Sequence, residues 1–182
     1  MPLTPQISGT LAIRAPAGEF MRAFRRRIDE GLLAGRKDSR SNYEAISSGP
    51  DELRVRAADM WTAFNVGLND VHLRFPAAGT VNYTVRYWRW ASYVLSLSGF
   101  LGLIGLTLLL TTDVRSYIAR NPASRVGSLT VDQNLVILWA FLLFWMFVWP
   151  WLLIGLHQRP LRRLVARIVG EVDAAAVSGA GH

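Results

Sequence analysis

Two stretches of this chain carry no charge, and they decide what it can fold into. Residues 91–110 give 20 consecutive uncharged positions and residues 135–156 give 22. At 1.5 Å per residue, each as a helix would cross roughly 30 Å of hydrocarbon. The remaining 140 residues are too few to wrap two such helices on every side, as a soluble core would require. A transmembrane hairpin is therefore predicted, with spans at 91–112 and 134–156 and an external loop at 113–133.

The flanks fit that prediction. Tyr87, Trp88, Trp90 and Tyr93 stand where the first span begins, and Trp149 and Trp151 near the end of the second. Amphipathic rings favour the headgroup layer. Arg159, Arg162 and Arg163 follow the second span and complete the expected membrane interface, with His157 as a headgroup contact. Pro150 lacks an N–H and crowds the carbonyl of Met146, so the second span should bend or loosen there.

Orientation follows from charge. Arg74, Arg86 and Arg89 precede the hairpin and Arg159, Arg162, Arg163 and Arg167 follow it, against Arg115, Arg120 and Arg125 in the loop. The excess places both termini in the cytoplasm. The opening MPLTPQISGT has neither a basic nor an apolar signal region, so no cleavable signal is expected. Nineteen arginines against the single Lys37, in an Ala- and Gly-rich chain, fit a GC-rich bacterial genome and an inner membrane. The net charge of +7 suits a bilayer with anionic headgroups as partner. RAFRRRIDEG, residues 22–31, is the sharpest hint of nucleic acid, but no nucleic-acid-binding motif accompanies it and none is expected to bind.

The soluble segments read as an α+β fold. QISGTLAIRA alternates as a half-buried strand with Ile7, Leu11 and Ile13 inward. A helix over about 17–33 then buries Phe20, Phe24, Ile28 and Leu32. NYEAIS, ELRVRAA, TAFNVGL, DVHLRF and TVNYTVRYW are short runs of period two, read as an antiparallel meander. After the hairpin, Leu161, Leu164, Val165, Ile168 and Val172 form the stripe of an amphipathic helix at 157–176, and residues 177–182 read as a disordered tail. The cytoplasmic domain is thus residues 1–90 completed by 157–176.

The order strand, helix, meander and closing helix resembles the helix-grip fold of the START and polyketide-cyclase-like superfamily. LAIRAPAGEFMRAF looks like its first strand and helix, and RPLRRLVARIVGEVDA like its closing helix. The resemblance covers residues 6–90 and 159–176 and rests on no invariant motif; an unrelated small α+β domain is the alternative. It implies a cavity for an apolar ligand or lipid between sheet and closing helix, lined here by Val81, Tyr83, Val85, Leu164, Ile168 and Val172.

Nothing in the chain names a reaction, so a non-enzymatic binding module is expected. Zero cysteines exclude disulfides and thiolate chemistry, and no metal or cofactor is expected. Asp70, His72 and Arg74 share one strand face and offer a base or ligand, but without convergent groups they read as a solvated face. Asp59, Trp61, Asn65 and Asn69 lie nearby and fit turns. The first span carries two sets of small residues: Ser92, Ser96 and Gly99 on one side, and Ser98, Gly102 and Gly105 on another. Such residues let helices approach closely. One set packs the second span, whose Trp139, Phe141, Phe144, Trp145 and Phe147 complement it; the other is free for a membrane-protein partner or a second copy. A structural or assembly subunit of a larger membrane complex is therefore the alternative function. The absence of charged residues in either span argues against a proton or ion pathway.

The topology is checked by fusing a reporter to the C-terminus. One that works only in the cytoplasm should be active there; activity from one that works only outside would overturn the orientation.

Overall fold

Alternation in QISGTLA builds strand β1 (Gln6–Ala12), with Ile7 buried and Ser8 and Thr10 exposed. In the computed structural model, which describes residues 4–33, 43–49 and 51–179, helix α1 follows at Ala17–Glu30 and buries Phe20, Phe24 and Ile28. The charged stretch 35–42 lies outside the described residues. Strands β2 (Tyr43–Ser48), β3 (Glu52–Ala57), β4 (Asp70–Ala77) and β5 (Thr80–Arg86) complete an antiparallel sheet of order β1-β5-β4-β3-β2. Period two gives the sheet an inner face of Leu53, Val55, Val71, Leu73, Phe75, Val81, Tyr83 and Val85, all buried.

One run expected in the meander is not a strand. TAFNVGL belongs to helix α2 (Met60–Val66), bracketed by two signals that the period-two count passed over. Asp59 caps it, its carboxylate accepting the Thr62 N–H at 2.7 Å, and Gly67 closes it in the left-handed region at φ 75°. The side chain of Asn65 lies outside the described residues.

The closing stripe sits on helix α6 (Trp149–Gly179), where Leu161, Val165, Ile168, Val169, Val172 and Ala176 are buried and Leu164 is half-buried. Asp173 Oδ1 accepts the N–H groups of Arg14 and Ala15, both at 2.9 Å, and Arg27 pairs with Glu171 at 2.8 Å. The helix therefore ties back to the β1–α1 turn and to α1. It continues through Gly179, so residues 177–179 are helical rather than the start of a disordered tail. Ala-rich sequence favours helix when the preceding turns are already packed.

These segments, residues 1–91 and 156–182, form one compact unit, and residues 92–155 form a second. The second holds most of helix α3 (Trp88–Thr111), helix α4 (Val114–Arg120), helix α5 (Val131–Leu143) and a π-helical turn at Phe144–Val148. Asp113 caps α4, and Thr130 and Gln133 form a capping box at the start of α5. The π-helical turn lies just before Pro150, which cannot donate to Met146; the predicted loosening takes this form. Two helices, Trp88–Thr111 and the continuous run Val131–Gly179, are long and apolar enough to cross a membrane. Phe100, Leu103, Leu108, Leu110, Val136, Phe141 and Phe147 project from them exposed, more apolar surface than water tolerates uncovered.

Hydrogen bonds from the Thr62 backbone and side chain hold the Asp59 carboxyl below its ordinary pKa. A folded pKa below the unfolded one gives stability above the ordinary carboxyl range that is lost as pH falls through the folded value. Asp59→Ala should therefore lower the thermal midpoint at neutral pH and match wild type in acid; an unchanged neutral midpoint would discount the cap.

Candidate functional site

Of the six residues expected around a cavity, Val81 and Val85 are fully buried, Tyr83, Ile168 and Val172 nearly so, and Leu164 is half-buried. The Tyr83 ring lies directly on Gly9, where a Cβ would collide with it. This unit has a concavity of about 400 Å³ on the outer sheet face and one of about 190 Å³ between α1 and α6, and of the six only Val172 touches either. Five of the six are buried core side chains, and Leu164 lies at the margin.

The membrane-interface set divides. Trp88 and Trp151 are exposed, as are Arg159, Arg162 and Arg163, while Trp149 is half-buried with its ring 6.0 Å from that of Trp145. Tyr87 is not at the interface: it is 0% exposed. The alternation that turns Val81, Tyr83 and Val85 inward carries Tyr87 inward too, and its N–H donates to the Pro5 carbonyl at 3.0 Å. His157, expected among headgroups, is half-buried instead. Its ring stacks on Trp90 with centroids 4.1 Å apart and meets Tyr87 edge-on at 5.6 Å. Its Nε2 faces Gly67, a position that only a residue without a Cβ leaves open.

Asn69 organises this corner. It is 1% exposed and sits between α2 and β4. Its Nδ2 donates to the Ala63 carbonyl at 2.9 Å, and its Oδ1 accepts the N–H groups of Arg89 and Trp90 at 3.0 and 3.3 Å. Those N–H groups belong to the first turn of α3, which has no carbonyl of its own to receive them. Arg89 adds a bond from Nη1 to the Ala57 carbonyl at 3.2 Å. One buried amide thus caps the first apolar helix from 20 residues away. The sequence marks Asn69 only as a turn former, since the local pattern carries no sign of a distant helix start.

In the second unit, Gly102 and Gly105 face the following helices: a Cβ at Gly102 would collide with Met146 and one at Gly105 would press on Leu142 at 2.9 Å. Ser98 is buried with them, whereas Ser92 and Ser96 are exposed and Gly99 has open space beside it. A groove of about 680 Å³ runs between α3, α4 and α5, walled by Leu101, Leu108, Leu109, Leu138, Phe141 and Trp145, with Tyr117 at its loop end.

Asp70, His72 and Arg74 lie on the outer face of β4. His72 Nε2 is 3.1 Å from Glu52 Oε2, Arg74 Nε is 3.7 Å from the same oxygen, and Arg56 Nε donates to Asp70 Oδ1 at 2.8 Å. Hydrogen bonding by His72 is the largest of the influences that lower the Glu52 pKa. The histidine is thus engaged by a carboxylate one strand away. No family model, curated protein or solved structure matches the chain.

Asn69→Ala would orphan the Arg89 and Trp90 N–H groups and free α2, a loss of about 2–4 kcal/mol. Urea unfolding of the detergent-solubilised chain measures it; a loss under about 0.5 kcal/mol would remove Asn69 from this role.

Proposed function

We propose that the chain is a two-span protein of a bacterial inner membrane, with both termini cytoplasmic, that holds an apolar ligand or lipid and does not catalyse a reaction. The carrying observation is the groove between α3, α4 and α5. Its volume of about 680 Å³ falls in the range of small-molecule sites, and its wall is almost wholly hydrocarbon. Such a wall offers dispersion contacts along its length and few polar groups, which suits an acyl or isoprenoid chain better than a polar substrate.

The order of β1, α1, the four later strands and a closing helix supports the helix-grip resemblance. We place the ligand at the hairpin rather than at the sheet, because Val81, Tyr83, Val85, Ile168 and Val172 are buried and the apolar groove is walled by the hairpin. The positive flanks of the two apolar helices support the orientation.

A second reading, a structural or assembly subunit, is favoured by Ser92, Ser96 and Gly99. They form a small-residue face of α3 that the hairpin does not fill.

Native mass measurement in mild detergent separates the two. The binding reading expects a residual mass of lipid size on the wild-type chain, lost in Leu138→Trp, which fills the groove, and kept in His72→Ala. A chain without that mass, or one that keeps it in Leu138→Trp, would overturn this reading. A protein-sized increment abolished by Gly99→Leu would establish the second.

A further inference from the structure

The outer face of the sheet carries more positive charge than its own carboxylates can neutralise. Strand register sets its polar side chains in rows: Glu52, Arg74, Asn82 and Thr10; Arg54, His72, Thr84 and Ser8; Arg56, Asp70, Arg86 and Gln6. With Glu44 of β2 opposite Arg56, four arginines thus share this face with three acids, Glu44, Glu52 and Asp70. Glu52 is engaged by His72 and Arg74, and Asp70 by Arg56. Among the described residues, no carboxylate lies within ion-pairing distance of Arg54 or Arg86.

These two arginines border the same concavity. It has a volume of about 400 Å³, and Arg54, Arg56, Asp70, His72, Thr84 and Arg86 are among its lining, with half-exposed Ile46 at its edge. Arg54 stands on β3 and Arg86 on β5, two strand spacings and two residues apart, a diagonal of about 12 Å. Side chains of that length can close on a single ligand across His72 and Thr84. Three arginines, Arg54, Arg56 and Arg86, line the hollow against the single carboxylate of Asp70, and this excess of like charge favours an added anion.

We propose that this hollow is a binding site for a dianionic phosphoryl group, carried on a phosphate ester, a pyrophosphate or a phosphomonoester lipid. Two guanidinium forks arriving from different strands need acceptor oxygens that diverge, as those of a tetrahedral phosphoryl group do and those of a planar carboxylate do not. The Thr84 hydroxyl supplies a further donor, and Ile46 offers apolar contact to the body of an ester. The site lies on the opposite sheet face from the core and is independent of the apolar groove.

The test titrates inorganic pyrophosphate calorimetrically into the full chain in phosphatidylcholine nanodiscs. Saturable binding is expected, weakened about tenfold or more in the Arg54→Gln/Arg86→Gln double variant. The Arg22→Gln/Arg26→Gln variant on α1 removes equal charge and should stay within about twofold of wild type. All four positions are exposed, so circular dichroism should be unchanged. Repeating the titration in discs containing phosphatidic acid separates the sources. An affinity reduced about tenfold there, with the reduction lost in the double variant, identifies a lipid headgroup; an unchanged affinity identifies a free anion. No saturable binding, or equal weakening in both double variants, overturns the site.

Discussion

The amide of Asn69 is the interaction on which the rest of the first compact unit depends. A helix begins with N–H groups that have no carbonyl to receive them, and at the start of α3 Asn69 supplies the acceptor. The Asn69 oxygen takes two of those N–H groups, and its nitrogen holds the Ala63 carbonyl at the end of α2. The Asn69 carbonyl also accepts the Ala57 N–H, and the Ala57 carbonyl accepts from Arg89. The end of β3, the end of α2, the start of β4 and the start of α3 therefore meet at one residue. Burying this polar group is favourable only because both ends of the amide are satisfied.

The same corner explains why Gly67 and His157 stand where they do. Gly67 ends α2 with φ 75°, a conformation that carries a side chain only under strain, and the imidazole occupies the space a Cβ would need. His157 then serves as an aromatic plate between Trp90 and Tyr87. Its Nε2 is buried without a hydrogen-bond partner among the described residues, so packing rather than polar bonding holds the ring.

What the sequence made legible follows from the range of the forces involved. Uncharged runs, the stripe of α1 and the period-two strands are local patterns, and each appears where the residues place it. Thr130 and Gln133 form their capping box because its partners are three residues apart. The failures are non-local, or compete with a pattern. TAFNVGL alternates well enough to pass for a strand, yet a cap at Asp59 and a left-handed glycine at Gly67 outweigh that alternation over seven residues. Tyr87 has the composition of an interface residue but the parity of the inner sheet face, and parity wins because Val81, Tyr83 and Val85 fix the register. The groove and the hollow between Arg54 and Arg86 depend on which helices and strands become neighbours, which spacing along the chain does not encode.

The small residues of α3 show how one sequence feature acquires two roles. Ser98, Gly102 and Gly105 lie on the side that meets Leu142 and Met146, and their lack of bulk allows that approach. Gly105 and Leu142 also belong to the wall of the apolar groove, which continues past them to Leu108, Leu109 and Tyr117. Close contact at the glycines fixes the two helices, while the larger leucines beyond line a space they do not fill. A larger residue at Gly105 would therefore act on packing and groove together, whereas one at Leu138 narrows the groove without touching the glycine contacts. The distinction separates a chain that has lost its fold from one that has lost only its ligand.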